Sequence, residues 1–359
     1  MLSRMEGVVR PSGGPDPGAG ALFGGGQRPS WTGRADDGAV GPDGRDRPAL
    51  GPGFDRQIPP GGYVWWYVDA LSDDGRHGLT LIAFIGSVFS PYYALARRRG
   101  AGDPEHHCAL NVALYGAGGK RWAMTERGRG ALQRDATTLT IGPSALAWDG
   151  TALTIRIDEV TVPFPSRIRG VVRLIPTAVT DREFTLDAEG RHRWWPIAPC
   201  ARVEAELERP ALRWSGPGYL DSNAGDEPLE RGFTTWDWSR ASLRKGTAVL
   251  YDARRRSGEA LSLALRCDPS GTVEEFAPPP AADLPTTFWR VARGTRIDEG
   301  HTATVRETLE DAPFYARSLL DTHLLGERVA AVHESLSCDR FDTKLVQAML
   351  PFRMPRTWS

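Results

Sequence analysis

The sequence predicts an all-β protein of the barrel or sandwich kind. Three observations carry that expectation. Short runs rich in β-branched and aromatic residues recur along most of the chain. Glycine turns separate them at hairpin spacing, as at Asp149-Gly150. Strand–helix–strand alternation is missing, which disfavours a nucleotide-binding α/β sheet. At 359 residues the chain is long enough for two domains with sizeable cores.

The elements follow in order. Residues 1–55 are dominated by Gly, Pro, Asp and Arg, as in Gly24-Gly25-Gly26 and Gly41-Pro42-Asp43-Gly44. Such a stretch buries too little apolar surface to offset its ordering entropy and reads as a disordered tail. Val64-Trp65-Trp66-Tyr67-Val68 then opens the folded part as a strand. From Gly78 to Ala96 no charge occurs, and Arg97, Arg98 and Arg99 follow. That length just reaches across a bilayer. Ser90-Pro91 interrupts it with a helix-capping residue and a first-turn proline. The segment therefore reads as a buried strand over 79–89 and a short helix over 92–98, with shallow membrane docking left open.

Further strands are expected over 138–141, 145–148, 153–157 and 171–176, then over 200–207, where polar and apolar residues alternate. The second half repeats the style at 248–253, 261–265 and 303–309. Residues 318–324 and 329–336 flank the hairpin turn Leu325-Gly326-Glu327-Arg328. Only 341–350, ahead of Pro351, has helical spacing. The reading divides the chain into a tail at 1–55, an N-terminal β domain at 56–208 and a C-terminal β domain at 209–359.

The net charge of -1 gives no electrostatic reason for a nucleic-acid partner. The four cysteines, Cys108, Cys200, Cys267 and Cys338, lie far apart without a C-x-x-C pair. They read as reduced thiols in a reducing, cytoplasmic compartment rather than as a zinc site. The first residues lack the apolar core of a secretory signal.

Three local signals do not hold up. Gly116-Ala117-Gly118-Gly119-Lys120 has Leu114 and Arg121 where a phosphate loop needs Gly and Ser or Thr, and reads as a turn. His106-His107-Cys108 places neighbours on opposite strand faces, which suits a metal poorly. Ser144 lacks the last glycine of a hydrolase nucleophile elbow.

The densest polar and aromatic region runs from Arg191 to Arg240. Two pairs matter in it. His192-x-Trp194 and Tyr219-x-Asp221 each put a proton-handling group and an aromatic ring on one face of an extended segment. The plain alternative is that the rings are core and that 218–225 is a loop.

Several stretches resemble one family, the carotenoid 1,2-hydratases, also called hydroxyneurosporene synthases. They are Trp65-Trp66-Tyr67-Val68-Asp69-Ala70, Phe84 to Tyr93, His192-x-Trp194, Tyr219-x-Asp221-x-Asn223-x-Gly225, Glu334-Ser335-Leu336 and Met349 to Arg356. The resemblance implies two lipocalin-like β-barrel or sandwich halves with a short C-terminal helix. It implies a lyase that uses no cofactor and no metal and adds water to the end of an acyclic carotenoid. It also implies His192, Trp194, Tyr219 and Asp221 as the functional residues. Asn223 and Trp238 are added here as pocket neighbours that bind substrate.

A chemistry follows from those residue types. Hydrating an isolated alkene needs a strong acid, a stabilised cation and a delivered water. Asp221 is the expected acid, with a pKa raised by burial. Trp194 and Tyr219 are expected to face the cation, and His192 to hold the water and take its proton. His192 and Asp221 could also exchange roles. A carrier of a hydrophobic pigment, a cyclase on the same scaffold and a structural membrane protein are the alternatives. The bilayer-stored substrate implies a peripheral membrane contact, with 78–96 and its arginines as one candidate.

Overall fold

The structure is a computed structural model describing residues 51–357 apart from 101, 117 and 118. The expected tail up to residue 50, and the middle of the glycine-rich turn at 116–120, lie outside the described residues. Of the last tail residues, Phe54 is core: it packs edge-on against Trp66 at 4.9 Å, and the Trp66 indole donates to the Pro52 carbonyl at 2.9 Å.

Two antiparallel sheets make up the fold. The first opens with β1 (Tyr63–Leu71) and β2 (His77–Ile85), then helix α1 (Pro91–Arg98), β3 (Cys108–Gly116) and β4 (Arg121–Arg127). It continues through β5 (Leu132–Arg134), β6 (Thr138–Ile141), β7 (Ser144–Trp148), β8 (Leu153–Val160) and β9 (Arg167–Pro176). A short β10 (Phe184–Thr185) and the long hairpin β11 (His192–Arg209) and β12 (Leu212–Gly225) complete it. The strand order is β4-β3-β2-β1-β12-β11-β9-β8-β7-β6-β5, and the sheet curls into a nearly closed barrel.

The chain crosses to the second sheet through a single turn of helix, α2 (Leu229–Gly232). That sheet holds β13 (Phe233–Leu243), β14 (Gly246–Arg255), β15 (Ala260–Cys267) and β16 (Val273–Glu275). After a separate two-stranded ribbon, β17 (Ala281–Leu284) with β18 (Arg293–Arg296), it adds β19 (Thr304–Asp311), β20 (Tyr315–Leu324) and β21 (Glu327–Ser337). Its order is β16-β15-β14-β13-β21-β20-β19. Two short helices, α3 (Cys338–Phe341) and α4 (Lys344–Met349), end the chain's regular structure. The expected division at 208/209 falls at the end of β11, with first-sheet strands on both sides; the passage between sheets lies at 226–232.

Period-two alternation assigns each strand's two faces. On β1, Val64, Trp66, Val68 and Ala70 point into the barrel core, while Tyr63, Trp65 and Tyr67 join the layer between the sheets. On β12, Leu220 and Ala224 enter the barrel and Tyr219 faces the other way. The barrel interior is filled by side chains rather than left as a ligand calyx.

Most of the segment at 78–96 is buried, with Leu95 exposed on α1. β2 is mostly buried, and Ser90 caps α1 by accepting from the Tyr93 amide at 2.9 Å, with Pro91 in the first turn. Among the described residues no helix is long and apolar enough to cross a membrane. Ser144 and His107 have structural partners: Ser144 donates to Glu159 at 2.8 Å, and His107 meets Glu126 at 2.7 Å.

Candidate active site

Between the outer face of the barrel and the second sheet lies a cavity of about 860 Å³. Sheet register explains its lining. On the first sheet, Asp221, Tyr67, Ile82, Asn111 and Met124 are successive cross-strand partners and all line it. On the second, Tyr251, Trp238, Glu334, Arg317 and Glu310 form the facing row and all line it. Trp65, Asn223 and Trp236 add to the same wall. Most of the remaining lining is aromatic or aliphatic, the composition of a site for an apolar molecule.

Asp221 is the focus. Its carboxyl is buried, and its Oδ2 accepts from Trp194 Nε1 and from Tyr219 Oη, each at 2.9 Å. Its Oδ1 is buried with no hydrogen-bond partner among the described residues. Burial pushes its pKa up to about 8 against the opposing pull of those two donors, with the Glu334 and Asp69 charges adding to the rise. The group therefore rests protonated at neutral pH. Because Oδ2 is engaged by two donors, the proton belongs on Oδ1.

Trp194 and Tyr219 are fully buried behind Asp221 and are not part of the cavity wall. Their position differs from the one expected. They touch the carboxyl rather than the space where a cation would form, because both side chains lie beneath Asp221 and end in a donor. The rings nearest Asp221 on the cavity wall include Trp65, Tyr67, Trp236, Trp238 and Tyr251. Trp238 stands 5.3 Å from both Tyr67 and Tyr219, and Trp236 stands 4.8 Å from Tyr251.

His192 also lies off the cavity wall. Its Nδ1 meets the Tyr63 hydroxyl at 2.9 Å, and its ring packs on Phe233 at 4.9 Å. Burial lowers its pKa, partly offset by Asp187 and Glu227. The Gly225 that closes the Tyr219-x-Asp221-x-Asn223-x-Gly225 pattern is explained here: a Cβ would collide with the Tyr63 ring and crowd His192. Tyr63 in turn stacks on Trp65, with centroids 5.0 Å apart, so His192 braces a ring of the cavity wall from behind. Holding the reacting water does not fit that position.

Asn223 and Trp238 line the cavity; Asn223 donates to the Tyr251 hydroxyl at 3.1 Å. Asp237, between the two tryptophans of β13, faces the opposite side, where it accepts from Ser335 and from the Gly294 amide. Sequence reasoning missed Tyr67, Tyr251, Arg317 and Glu310 as wall residues and gave Glu334 no role. Their partners are supplied by distant strands, which no local spacing reveals.

Among the described residues no group of three or more His, Cys, Asp or Glu is placed to hold a metal ion. The four cysteines are free.

Comparison with known proteins agrees on the family. The family model of the carotenoid hydratase CrtC matches residues 81–359. An acyclic carotenoid 1,2-hydratase of Thiocapsa roseopersicina is 63% identical over 356 residues, covering 99% of this chain and 88% of its own. One of Rubrivivax gelatinosus is 54% identical over 357 residues, again with 99% and 88% covered. A solved structure from Nitrosomonas europaea, designated AttH, shares the fold with a TM-score of 0.53 at 16% identity, covering 77% of this chain and 92% of its own. With a match that runs from β2 to the C-terminus and relatives this similar along the whole chain, the protein belongs to the CrtC family of carotenoid hydratases.

Proposed function

We propose that this chain is a hydro-lyase that adds water across the terminal C1–C2 double bond of neurosporene, lycopene or a related acyclic carotenoid, without a cofactor. The observation that carries the reading is a protonated carboxyl, Asp221, set in the wall of a cavity lined largely by aromatic and aliphatic side chains. Asp221 donates its Oδ1 proton to C2, the less substituted alkene carbon. The positive charge then falls on tertiary C1, where water adds, so the hydroxyl emerges at C1.

Burial keeps the proton on Asp221 at rest. Trp194 and Tyr219 stabilise the carboxylate as the proton leaves, so both are positioning residues that make the acid stronger in the transition state. Trp65, Trp236, Trp238, Tyr67 and Tyr251 face the cation. Each ring face contributes about 0.5–2 kcal/mol, so orientation and exclusion of bulk water must supply the rest of the acceleration. Asp221→Asn tests the reading: hydration of lycopene is expected to vanish, and wild-type turnover by that variant would overturn it.

We also propose that the protein works at a lipid surface, docked by the cavity mouth rather than by residues 78–96. Exposed Trp289, Met349 and Phe352 (78%) line the cavity, and Phe288 (88%) and Leu345, also exposed, adjoin the lining residues Trp289 and Val346 in the chain. Lys120, Arg121 and Arg353 line the same cavity, with Asp311 as an acidic neighbour. Apolar side chains among basic ones suit insertion between anionic headgroups, and the mouth would open where a membrane-dissolved carotene lies. Flotation with phosphatidylglycerol vesicles checks this. The Phe288→Ser/Leu345→Ser variant is expected to lose flotation while still hydrating detergent-solubilised lycopene; undiminished flotation would contradict the docking face.

A further inference from the structure

Water that adds to a tertiary cation must be held beside C1 and must lose a proton. His192 does not reach the cavity, and Asp221 has just given its own proton away. The second sheet offers the missing pair of groups. We infer that Trp238 and Glu334 hold the reacting water and that Glu334 takes its proton; the inference rests on the hydratase reading above.

Trp238 and Glu334 are cross-strand partners on β13 and β21, so their side chains stand side by side on the cavity face. Trp238 Nε1 is buried with no hydrogen-bond partner among the described residues. Glu334 uses only Oε1: it accepts from Tyr67 Oη at 2.7 Å and from Arg317 Nη2. No described hydrogen bond engages Oε2. An unpartnered donor and an acceptor thus belong to neighbouring residues of the cavity wall. Polar groups left in that state are usually satisfied by ordered water. A water there accepts from the Trp238 indole and donates to Glu334, leaving one lone pair for carbon.

Glu334 is built to be a carboxylate in a place where carboxylates are costly. Arg317 is fully buried and ties it to the fold, donating also to Thr80, to Tyr67 at 2.9 Å and to Tyr315 at 3.1 Å. Glu310 lies on the other side of Arg317 in the same row and holds the Tyr115 hydroxyl. Tyr67 links the two working carboxyls: its backbone is opposite Asp221, and its hydroxyl is on Glu334. One cavity therefore holds a protonated acid without a countercharge and a carboxylate with one, the pairing expected of an acid and a base.

The step balances. The Asp221 O–H bond and the alkene π bond break as C2–H forms; the water oxygen bonds to C1, and its proton passes to Glu334 Oε2. One proton then returns from Glu334 to Asp221 through water, and the protein is restored. Water bound to a tertiary cation is a strong acid, so an ion-paired carboxylate suffices to accept its proton.

Glu334→Gln in D₂O is the test. In the wild type, deuterium is expected at C2 of the hydrated product. The variant is expected to lose about 10²–10⁴-fold in hydration, yet to return deuterium-labelled alkene, because the cation still forms and collapses back to Asp221. That retained exchange also shows a folded site. For Glu334→Ala, added formate is expected to restore part of the hydration. Hydration by Glu334→Gln near the wild-type rate would overturn the assignment. So would loss of both hydration and exchange in Glu334→Gln together with no formate rescue in Glu334→Ala. Absence of deuterium at C2 in wild-type product would instead overturn the acid-catalysed reading itself.

Discussion

The barrel interior and the layer between the sheets are built from the same strands, yet they do different work. Trp66 points into the barrel, where its buried neighbours are apolar. Trp65 and Tyr67, one residue to either side, point into a layer that holds Asp221, Glu334, Arg317 and Glu310. The first face is filled mostly by apolar side chains, with the buried Arg127–Glu159 ion pair continuing it on β4 and β8. The second keeps a cavity and retains ionisable groups that cost stability when buried. A sheet with period-two alternation can thus separate the residues that fill the barrel from those that line the cavity, without separating them in sequence.

That contrast can be broken in graded ways. Asp221→Asn should have the largest effect on rate, about 10⁴-fold, the upper end expected for loss of a general acid. It should at the same time stabilise the fold at alkaline pH. The pKa of Asp221 in the folded chain, about 8, exceeds the unfolded value of about 3.9. Its favourable contribution is complete below the unfolded value and is lost as pH rises through about 8. Thermal melts at pH 9 should therefore place the Asn variant above the wild type. Trp66→Ala reverses the pattern. It should cost about 3–5 kcal/mol of stability, read by urea titration, while folded protein retains the acid.

Smaller effects sharpen the picture further. Trp194→Phe removes one hydrogen bond to the carboxyl and keeps the ring. With charged-group hydrogen bonds contributing about 1.5–3 kcal/mol, hydration should fall by one to two powers of ten. His192→Gln should cost less than Asp221→Asn and leave the pH dependence of hydration in place, since His192 braces Tyr63 and does not touch Asp221.

Much of this was legible in the sequence, for identifiable reasons. β6 and β8 read correctly because one face of each is buried and the other is not, so their residues alternate. The Ser90-Pro91 cap announced α1. β12 was harder. Gly218 to Gly225 has the composition of a loop, yet β1 and β11 pair with it on both sides and override local propensity. β3 is buried along nearly its whole length and carries no alternation to detect.

The i, i+2 pairs were legible as shared faces, because period two puts His192 with Trp194 and Tyr219 with Asp221. What Trp194 and Tyr219 touch was not, since that depends on which strand lies beneath. Glu334 and Arg317 could not be connected to Asp221 at all before the sheets were packed face to face.

The central claim is that Asp221 works as a neutral acid whose strength is set by Trp194 and Tyr219. The pH dependence of kcat/KM for hydration in wild type and Tyr219→Phe tests it most directly. Asp237, pushed up to about 7 on the opposite face of β13, should not move between the two proteins. The wild type is expected to lose activity as pH rises through about 8. In Tyr219→Phe the loss should shift to higher pH, because a donor that holds the Asp221 pKa down is gone. A profile flat to pH 10, or a limb that stays fixed in Tyr219→Phe, would contradict the account.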